Sequence, residues 1–184
     1  MHKHLCDLLR QDAALMQALR AIRSLNLPDA WLGAGAIRNR VWDHLHGFST
    51  PAGGELDVVY FDVEHCGPGF EQMWQARLQA ICPGWVWEVT NQAGVHSWRC
   101  TPQSPMPPLR STLDGVSGWP ETATALAVRL DEQAQMHVLA PCGLQDLFDL
   151  VLRHNPRQVA YDVFLQRLEQ KQFLQRWPML TIQT

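Results

Sequence analysis

The sequence has no apolar stretch long enough to cross a lipid bilayer, and its first residues lack the apolar core of a signal peptide. It also has no excess of positive charge. Its 15 basic and 18 acidic side chains give a formal net charge of −3, which provides no general attraction to nucleic acid or to an anionic membrane. Its five cysteines are scattered and include no C-x-x-C pair, as in proteins that keep reduced thiols. We therefore expect a cytoplasmic protein with no membrane partner.

The composition, with 46% hydrophobic and 18% charged residues, is that of an ordinary globular protein. Apolar spacing predicts helices over residues 2–24, 36–45, 70–81, 143–152 and 157–175. Runs of β-branched and aromatic residues predict strands at 30–32, 55–62, 85–90, 122–130 and 136–139, and a Pro/Ser/Gly-rich loop spans 101–120. We expect residues 1–184 to form a single α/β (α+β) domain, a mixed β-sheet flanked by helices, on which helices 2–24 and 157–175 pack.

The most informative segment is the strand that contains Glu55 and Asp57. Residues two apart on a strand point to the same side, so both carboxylates can approach one ion. Two adjacent acids cost stability unless a cation such as Mg²⁺ or Mn²⁺ compensates them. Glu88 is a third acid, within an apolar strand, where burial would require a cation or a hydrogen-bond network. Solvated acids on an outward face are the simpler alternative for the pair, and Glu121 could replace Glu88, although a turn or capping role suits Glu121 better.

A glycine turn, Gly33-Ala34-Gly35, connects a short strand to a helix. Glycine lets the backbone approach a ligand closely, and the N-terminus of a helix offers N–H donors and partial positive charge to a phosphate. Arg38, one turn into this helix, could reach a phosphate with its guanidinium. It could equally be a surface arginine that pairs with Asp43 or Glu55.

A glycine turn followed by a two-acid strand and a one-acid strand is what two-metal phosphoryl transfer requires. This pattern resembles the nucleotidyltransferase signature of the DNA polymerase β superfamily, and in particular the opening of poly(A) and CCA-adding polymerases. More narrowly, the chain resembles a nucleotidyltransferase-like family of bacterial proteins of unestablished substrate. The segments that carry the resemblance are Gly33–His46, Asp57–Asp62, Trp87–Trp98, Trp119–Leu130 and Ala140–Leu150.

The resemblance implies a nucleotidyltransferase-type fold and the transfer of a nucleoside monophosphate from a nucleoside triphosphate to a hydroxyl acceptor, with release of pyrophosphate. It implies catalytic and metal-binding roles for Glu55, Asp57 and Glu88, with Mg²⁺ or Mn²⁺ as the cofactor, and nucleotide-binding roles for Gly33 and Gly35. Arg38 joins the predicted nucleotide-binding residues by its position on the helix. The first acid is Glu55 where the superfamily usually has Asp, and the gap from Gly35 is longer than usual. These departures leave open a catalytically degenerate nucleotide-binding or protein-interaction module on the same fold.

The acceptor is the least specified partner. Because no basic stripe is visible, an extended nucleic acid is not expected, and a small molecule or a protein side chain is preferred. Trp98 or Trp119 could stack on a nucleobase, although packing in the core is the more usual use of tryptophan.

Overall fold

The structure, a computed structural model, describes residues 1–51, 53–99, 107–157 and 160–183 and, for residues 98 and 99, the backbone alone. The helices are α1 (His2–Arg10), α2 (Ala13–Ser24), α3 (Gly35–Leu45), α4 (Pro68–Ile81), α5 (Val95–Arg99), α6 (Thr112–Ser117), α7 (Gln145–Phe148), α8 (Tyr161–Lys171) and α9 (Phe173–Arg176). The strands are β1 (Trp31–Gly33), β2 (Glu55–Tyr60), β3 (Val86–Asn91), β4 (Ala127–Leu130), β5 (Met136–Leu139), β6 (Val151–Arg153) and β7 (Thr181–Gln183). Within these ranges, no helix is both long and apolar enough to span a membrane.

Five strands form one mixed sheet in the order β3-β2-β1-β4-β5. Strands β2 and β3 are parallel, with α4 between them in the chain, whereas β1 pairs antiparallel with both β2 and β4, and β4 pairs antiparallel with β5. Asp57 lies directly opposite Gly33 on one neighbouring strand and opposite Glu88 on the other. The predicted mixed sheet flanked by helices is therefore confirmed, with its acidic residues on two adjacent strands.

The two faces of this sheet are covered differently. One face carries the main core, in which Leu56, Val58 and Trp87 pack with side chains of helices α1, α2 and α3. The opposite face holds a smaller apolar cluster, formed by Trp31, Val59, Val116 and Ala127. Because residues two apart share a face, Glu55 and Asp57 lie on the same side as Val59, the less covered face.

Each of the two predicted terminal helices is interrupted. In place of a single helix over 2–24, the chain breaks before Asp12, whose side chain accepts a hydrogen bond of 2.9 Å from the Leu15 amide and caps α2. In place of a single helix over 157–175, α8 begins at Tyr161 and stops at Gln172, whose left-handed backbone (φ 49°, ψ 40°) cannot continue a right-handed helix. Residues 158 and 159 of the predicted helix lie outside the described residues.

The predicted helix 143–152 is wrong over its second half. It ends at Phe148, and the left-handed Leu150 (φ 58°) redirects the chain into β6, which pairs with β7. The apolar spacing of this segment suits a short helix followed by a buried strand as well as it suits one helix, so periodicity alone could not separate the two.

The predicted hairpin and the predicted loop are each partly correct. Strand β4 begins at Ala127 rather than at residue 122, because the Ala125 amide donates to the Glu121 carbonyl in a turn. The loop predicted over 101–120 contains α6, which Ser111 caps by accepting a hydrogen bond from the Asp114 amide. Residues 101–106 of that loop lie outside the described residues.

Candidate active site

The less covered face of the sheet forms the floor of a cleft of about 690 Å³. The start of α3, the loop that precedes β2, the α8–α9 segment and Trp119 surround this floor. The predicted site residues that line the cleft are Gly35, Arg38, Glu55, Asp57 and Glu88. Residues from opposite ends of the chain thus meet in one cavity.

The three acidic side chains of the cleft interact with one another. Burial and then the charge of Glu55 raise the pKa of the Asp57 carboxyl above its ordinary value. A hydrogen bond to Glu55, followed by burial, raises the pKa of the Glu88 carboxyl in the same direction. These acids are therefore not independently solvated groups: they form one cluster in which ionisation of each member opposes ionisation of its neighbours.

The chemistry of this cluster fits a hard divalent cation, because carboxylate oxygens are preferred ligands of Mg²⁺ and Mn²⁺ and because a cation would relieve the mutual repulsion. Among the described residues, however, no group of three His, Cys, Asp or Glu side chains is arranged as a ready-made metal site. A cation would therefore have to draw Glu55, Asp57 and Glu88 together by side-chain rotation. The metal-binding role of these residues stays a prediction.

The two glycines of the turn have different surroundings. Gly35 is the first residue of α3 and lines the cleft, where a Cβ would meet only ordinary contacts at 3.6 and 3.8 Å. Gly33 is in β1, and a Cβ there would lie 2.8 Å from Cζ3 of the Trp119 ring and closer still to Cη2. Glycine at position 33 thus allows the Trp119 ring to lie directly on the sheet. Between them, Ala34 has φ 53° and ψ −127°, a conformation that L side chains rarely adopt.

Arg38 is not the surface arginine that one interpretation of the sequence expected. Its side chain is buried and pairs with neither Asp43 nor Glu55. Its Nη1 donates to the Thr124 hydroxyl at 2.8 Å, and its Nε and Nη2 donate to the Asn39 carboxamide oxygen. Burial lowers its pKa to about 10. The guanidinium therefore lines the cleft with neutral hydrogen-bond partners.

The α8–α9 segment brings further cations into the cleft, and sequence reasoning missed them. Arg167, Lys171 and Arg176 line it together with Arg38, whose guanidinium lies 4.7 Å from the centre of the Phe173 ring. Arg167 and Lys171 are four residues apart on α8 and so share a face of the helix. That spacing was the only local signal, and an exposed helix face produces the same pattern.

Arg38, Arg167, Lys171 and Arg176 together are named here the cationic wall of the cleft. Two buried carboxylates hold part of it in place. Glu121 forms an ion pair with Arg167, whose Nε lies 2.8 Å from the carboxylate. Asp43 accepts a 2.8 Å hydrogen bond from the Trp177 indole and lies 3.5 Å from Nη2 of Arg176. Glu121 is fully buried and does not line the cleft, so it is not positioned to replace Glu88 as third acid. Among the described residues, Lys171 has no carboxylate within ion-pair distance, although its charge lowers the pKa of Asp57 and of Glu88 against the larger effects that raise them.

The cleft continues past the acids, where the described lining residues are uncharged. Val59 and Thr90 follow Asp57 and Glu88 on the same face of their strands, and Gln92, Val95 and Trp119 complete the lining there. The predicted stacking position at Trp119 thus lies at the cleft, whereas the side chain of Trp98 is outside the described residues.

Comparison with known proteins agrees with this fold. A family model described as nucleotidyltransferase matches residues 20–182. The structure is similar to an NMR structure said to reveal a CCA-adding enzyme head domain, with a TM-score of 0.82 and 27% sequence identity over 99% of this chain and 95% of that one. A search of curated proteins found no match.

Larger enzymes share the fold alone. The Thermotoga maritima CCA-adding enzyme complexed with tRNA matches with a TM-score of 0.55 and 14% identity, over 92% of this chain and 38% of that one. A tRNA-processing enzyme complex matches with a TM-score of 0.55 and 13% identity, over 90% of this chain and 43% of that one. The present chain therefore spans less than half the length of these two enzymes.

Proposed function

Because this chain belongs to the nucleotidyltransferase family, we propose that it transfers a nucleoside monophosphate from a nucleoside triphosphate to an acceptor hydroxyl and releases pyrophosphate. The observation that carries this proposal is the division of charge within one cleft. Glu55, Asp57 and Glu88 lie on the sheet, and the cations of α3, α8 and α9 line the same cavity. A nucleoside triphosphate would bring negative charge to the cations, and its divalent cation would bring positive charge to the acidic cluster.

The cationic wall is suited to the polyphosphate. Arg167 and Arg176 already have carboxylate partners, but Lys171 and Arg38 have none within ion-pair distance in the described part of the chain. The N-terminus of α3, with its partial positive charge, opens at Gly35 in the same cavity. We assign Arg38 and Lys171, with the start of α3, to the phosphates of the nucleotide.

In the proposed reaction, the acceptor oxygen attacks the α-phosphorus, and the bond from that phosphorus to the oxygen bridging to the β-phosphate breaks. Pyrophosphate leaves with the bonding electron pair. Glu55 and Asp57 would hold the divalent cation, which when bound neutralises charge that develops on the phosphates. Glu88 accepts the proton of the acceptor hydroxyl. It lies directly opposite Asp57 on the adjacent strand, beside the proposed cation site.

The test is calorimetric titration of the protein with each nucleoside triphosphate, with and without Mg²⁺, repeated on Asp57→Asn. We expect binding that requires Mg²⁺ and weakens at least tenfold in the variant. Asp7→Asn, on the exposed surface of α1, is the matched control and should bind as the wild type does. Metal-independent binding that Asp57→Asn leaves intact would instead favour a degenerate nucleotide-binding module, and no binding by any nucleotide would contradict the proposal.

A further inference from the structure

The direction from which the acceptor enters follows from the proposed function, on which this inference rests. In phosphoryl transfer the attacking and leaving oxygens lie roughly in line on opposite sides of the phosphorus. The leaving pyrophosphate belongs at the cationic wall, with Arg38, Lys171 and the start of α3. The acceptor must therefore approach from the opposite side of the acidic cluster.

The sheet register identifies that opposite side. Strand β1 runs from Trp31, opposite Val59, to Gly33, opposite Asp57, and α3 begins two residues later. The start of α3 and Val59 therefore lie towards opposite ends of β1. Because β2 and β3 are parallel and Val59 pairs with Thr90, both strands continue from the acids in the direction away from α3.

The cleft lining changes in character along this direction. Past Asp57 and Glu88, the described lining residues are uncharged: Val59, Thr90, Gln92, Val95, Trp119 and Pro120. The cations among the described lining residues lie on α3, α8 and α9. An acceptor that carries phosphate would have to bury its charge here without a compensating cation among the described lining residues, which is costly.

We propose that this region, named here the neutral end of the cleft and formed by Val59, Thr90, Gln92, Val95 and Trp119, binds an acceptor that is an uncharged hydroxyl-bearing ring, of the carbohydrate or cyclitol class. Trp119 and Val95 contact the apolar face of the ring. The Thr90 hydroxyl and the Gln92 carboxamide form hydrogen bonds with its polar edge. One ring hydroxyl is presented to Glu88, the preceding residue on the same face of β3. The 3′ end of an RNA is not the substrate, because none of the described residues that line this end carries a positive charge for its phosphates.

The packing of Trp119 supports this assignment. Glycine at position 33 lets the edge of the indole reach the sheet beside the acids, so the ring forms a fixed wall of the cleft. The Gln92 side chain is similarly placed by Gly115, where a Cβ would lie 2.8 Å from the Gln92 Cδ atom and closer still to its Oε1. Two glycines thus leave room for the two largest side chains of the neutral end. A preorganised wall reduces the entropy that a weakly bound neutral ligand must overcome.

The experiment observes binding rather than turnover. Isotope-labelled protein is saturated with Mg²⁺ and the non-reactive analogue of whichever nucleoside triphosphate binds, with a methylene bridge between the α- and β-phosphates. Methyl glucoside and myo-inositol are then added at millimolar concentrations, and their effects on the amide and indole signals are compared with those of glucose 6-phosphate and of a short RNA with a free 3′ hydroxyl. We expect the neutral rings to shift the signals of Thr90, Gln92, Val95 and the Trp119 indole.

Matched variants locate the effect. Thr90→Val removes a hydroxyl at nearly constant volume and should weaken binding of the neutral rings about threefold to tenfold. Thr181→Val, an exposed threonine of β7, should leave it unchanged. Trp119→Phe, which retains an aromatic ring, should weaken binding of the rings while the nucleotide analogue still binds.

Other outcomes contradict the inference. If neither neutral ring shifts these signals, or if only the phosphorylated sugar or the RNA does so, the assignment of the neutral end is overturned. Failure of the nucleotide analogue itself to bind would overturn the proposed function, so the two failures are distinguishable in one sample.

Discussion

A single methyl group added to β1 tests how the cleft is built. In Gly33→Ala the new Cβ would lie 2.8 Å from Cζ3 of Trp119 and closer to Cη2, well inside ordinary van der Waals contact. The strand is paired on both sides, with Asp57 and with Ala127, so its backbone cannot easily move away. The Trp119 ring must therefore leave its position on the sheet.

The expected cost follows from overpacking. Inserting a methyl group into a closely packed site usually costs about 1–3 kcal/mol, because side chains leave their preferred rotamers. Gly35→Ala is the matched control, since its Cβ meets Arg38 and Asn39 atoms at 3.6 and 3.8 Å and its backbone is helical. There, the reduced entropy of the unfolded chain should stabilise the protein by about 0.4–1 kcal/mol. Substitution by alanine is therefore expected to lower the free energy of unfolding at Gly33 and to raise it at Gly35.

Urea denaturation of both variants measures the free energies of unfolding, and Trp119→Phe in each background completes a double-mutant cycle. We expect the smaller ring to recover part of the cost of Gly33→Ala and none of the effect of Gly35→Ala, because residues in direct contact couple and others add. Equal stability of Gly33→Ala and the wild type, or a coupling energy near zero, would refute the packing of Trp119 on Gly33.

Three further outcomes follow from the same region and its surroundings. Ala34→Gly should raise the free energy of unfolding by about 1 kcal/mol in a thermal or urea melt, because glycine adopts φ 53°, ψ −127° without strain; a loss of stability would contradict this. Asp57 has a raised pKa in the folded state, so without metal its contribution is favourable at acidic pH and is lost as the pH rises through that pKa. Asp57→Asn should therefore stabilise the metal-free protein by about 0.5–1 kcal/mol at neutral pH, but not near pH 4. Asp12→Ala should cost about 2–4 kcal/mol, because it removes the cap of α2 and the 2.6 Å ion pair of the buried Arg40, whereas Asp12→Asn should retain the cap.

The sheet and its acidic cluster could be predicted because their signals are local. The alternation that places Glu55 and Asp57 on one side depends only on the two-residue period of a strand. Glu88 is on the next strand of the chain, and consecutive strands are usually neighbours in a sheet, so Glu88 is expected to lie beside them. The register of β2 and β3 then places Asp57 directly opposite Glu88.

The cationic wall could not be predicted in this way, because it depends on how α8 and α9 return to α3. The contact is made by Phe173 and Trp177, whose rings pack with Trp42 and Arg38 more than a hundred residues earlier in the chain. A charged face on a C-terminal helix, as at Lys171, has the same pattern whether it faces solvent or a ligand. The same limit applies to Gly33, whose partner Trp119 is distant in sequence.

The places where local rules fail are concentrated in the cleft. Ala34 adopts a backbone conformation suited to glycine, Arg38 is a buried guanidinium with no carboxylate within ion-pair distance among the described residues, and Asp57 sits among like charges. The strained backbone of Ala34 and the like charges around Asp57 each lower stability. Natural sequences keep such conflicts where function requires them and offset them elsewhere, here by the core beneath β2 and α3. A polyphosphate would compensate the charge of Arg38, and a divalent cation would compensate the charge of Asp57. The two parts of one ligand, a nucleotide with its cation, would thus relieve both conflicts. This is the physical reason to propose one nucleotide site in the cleft rather than two unrelated surface features.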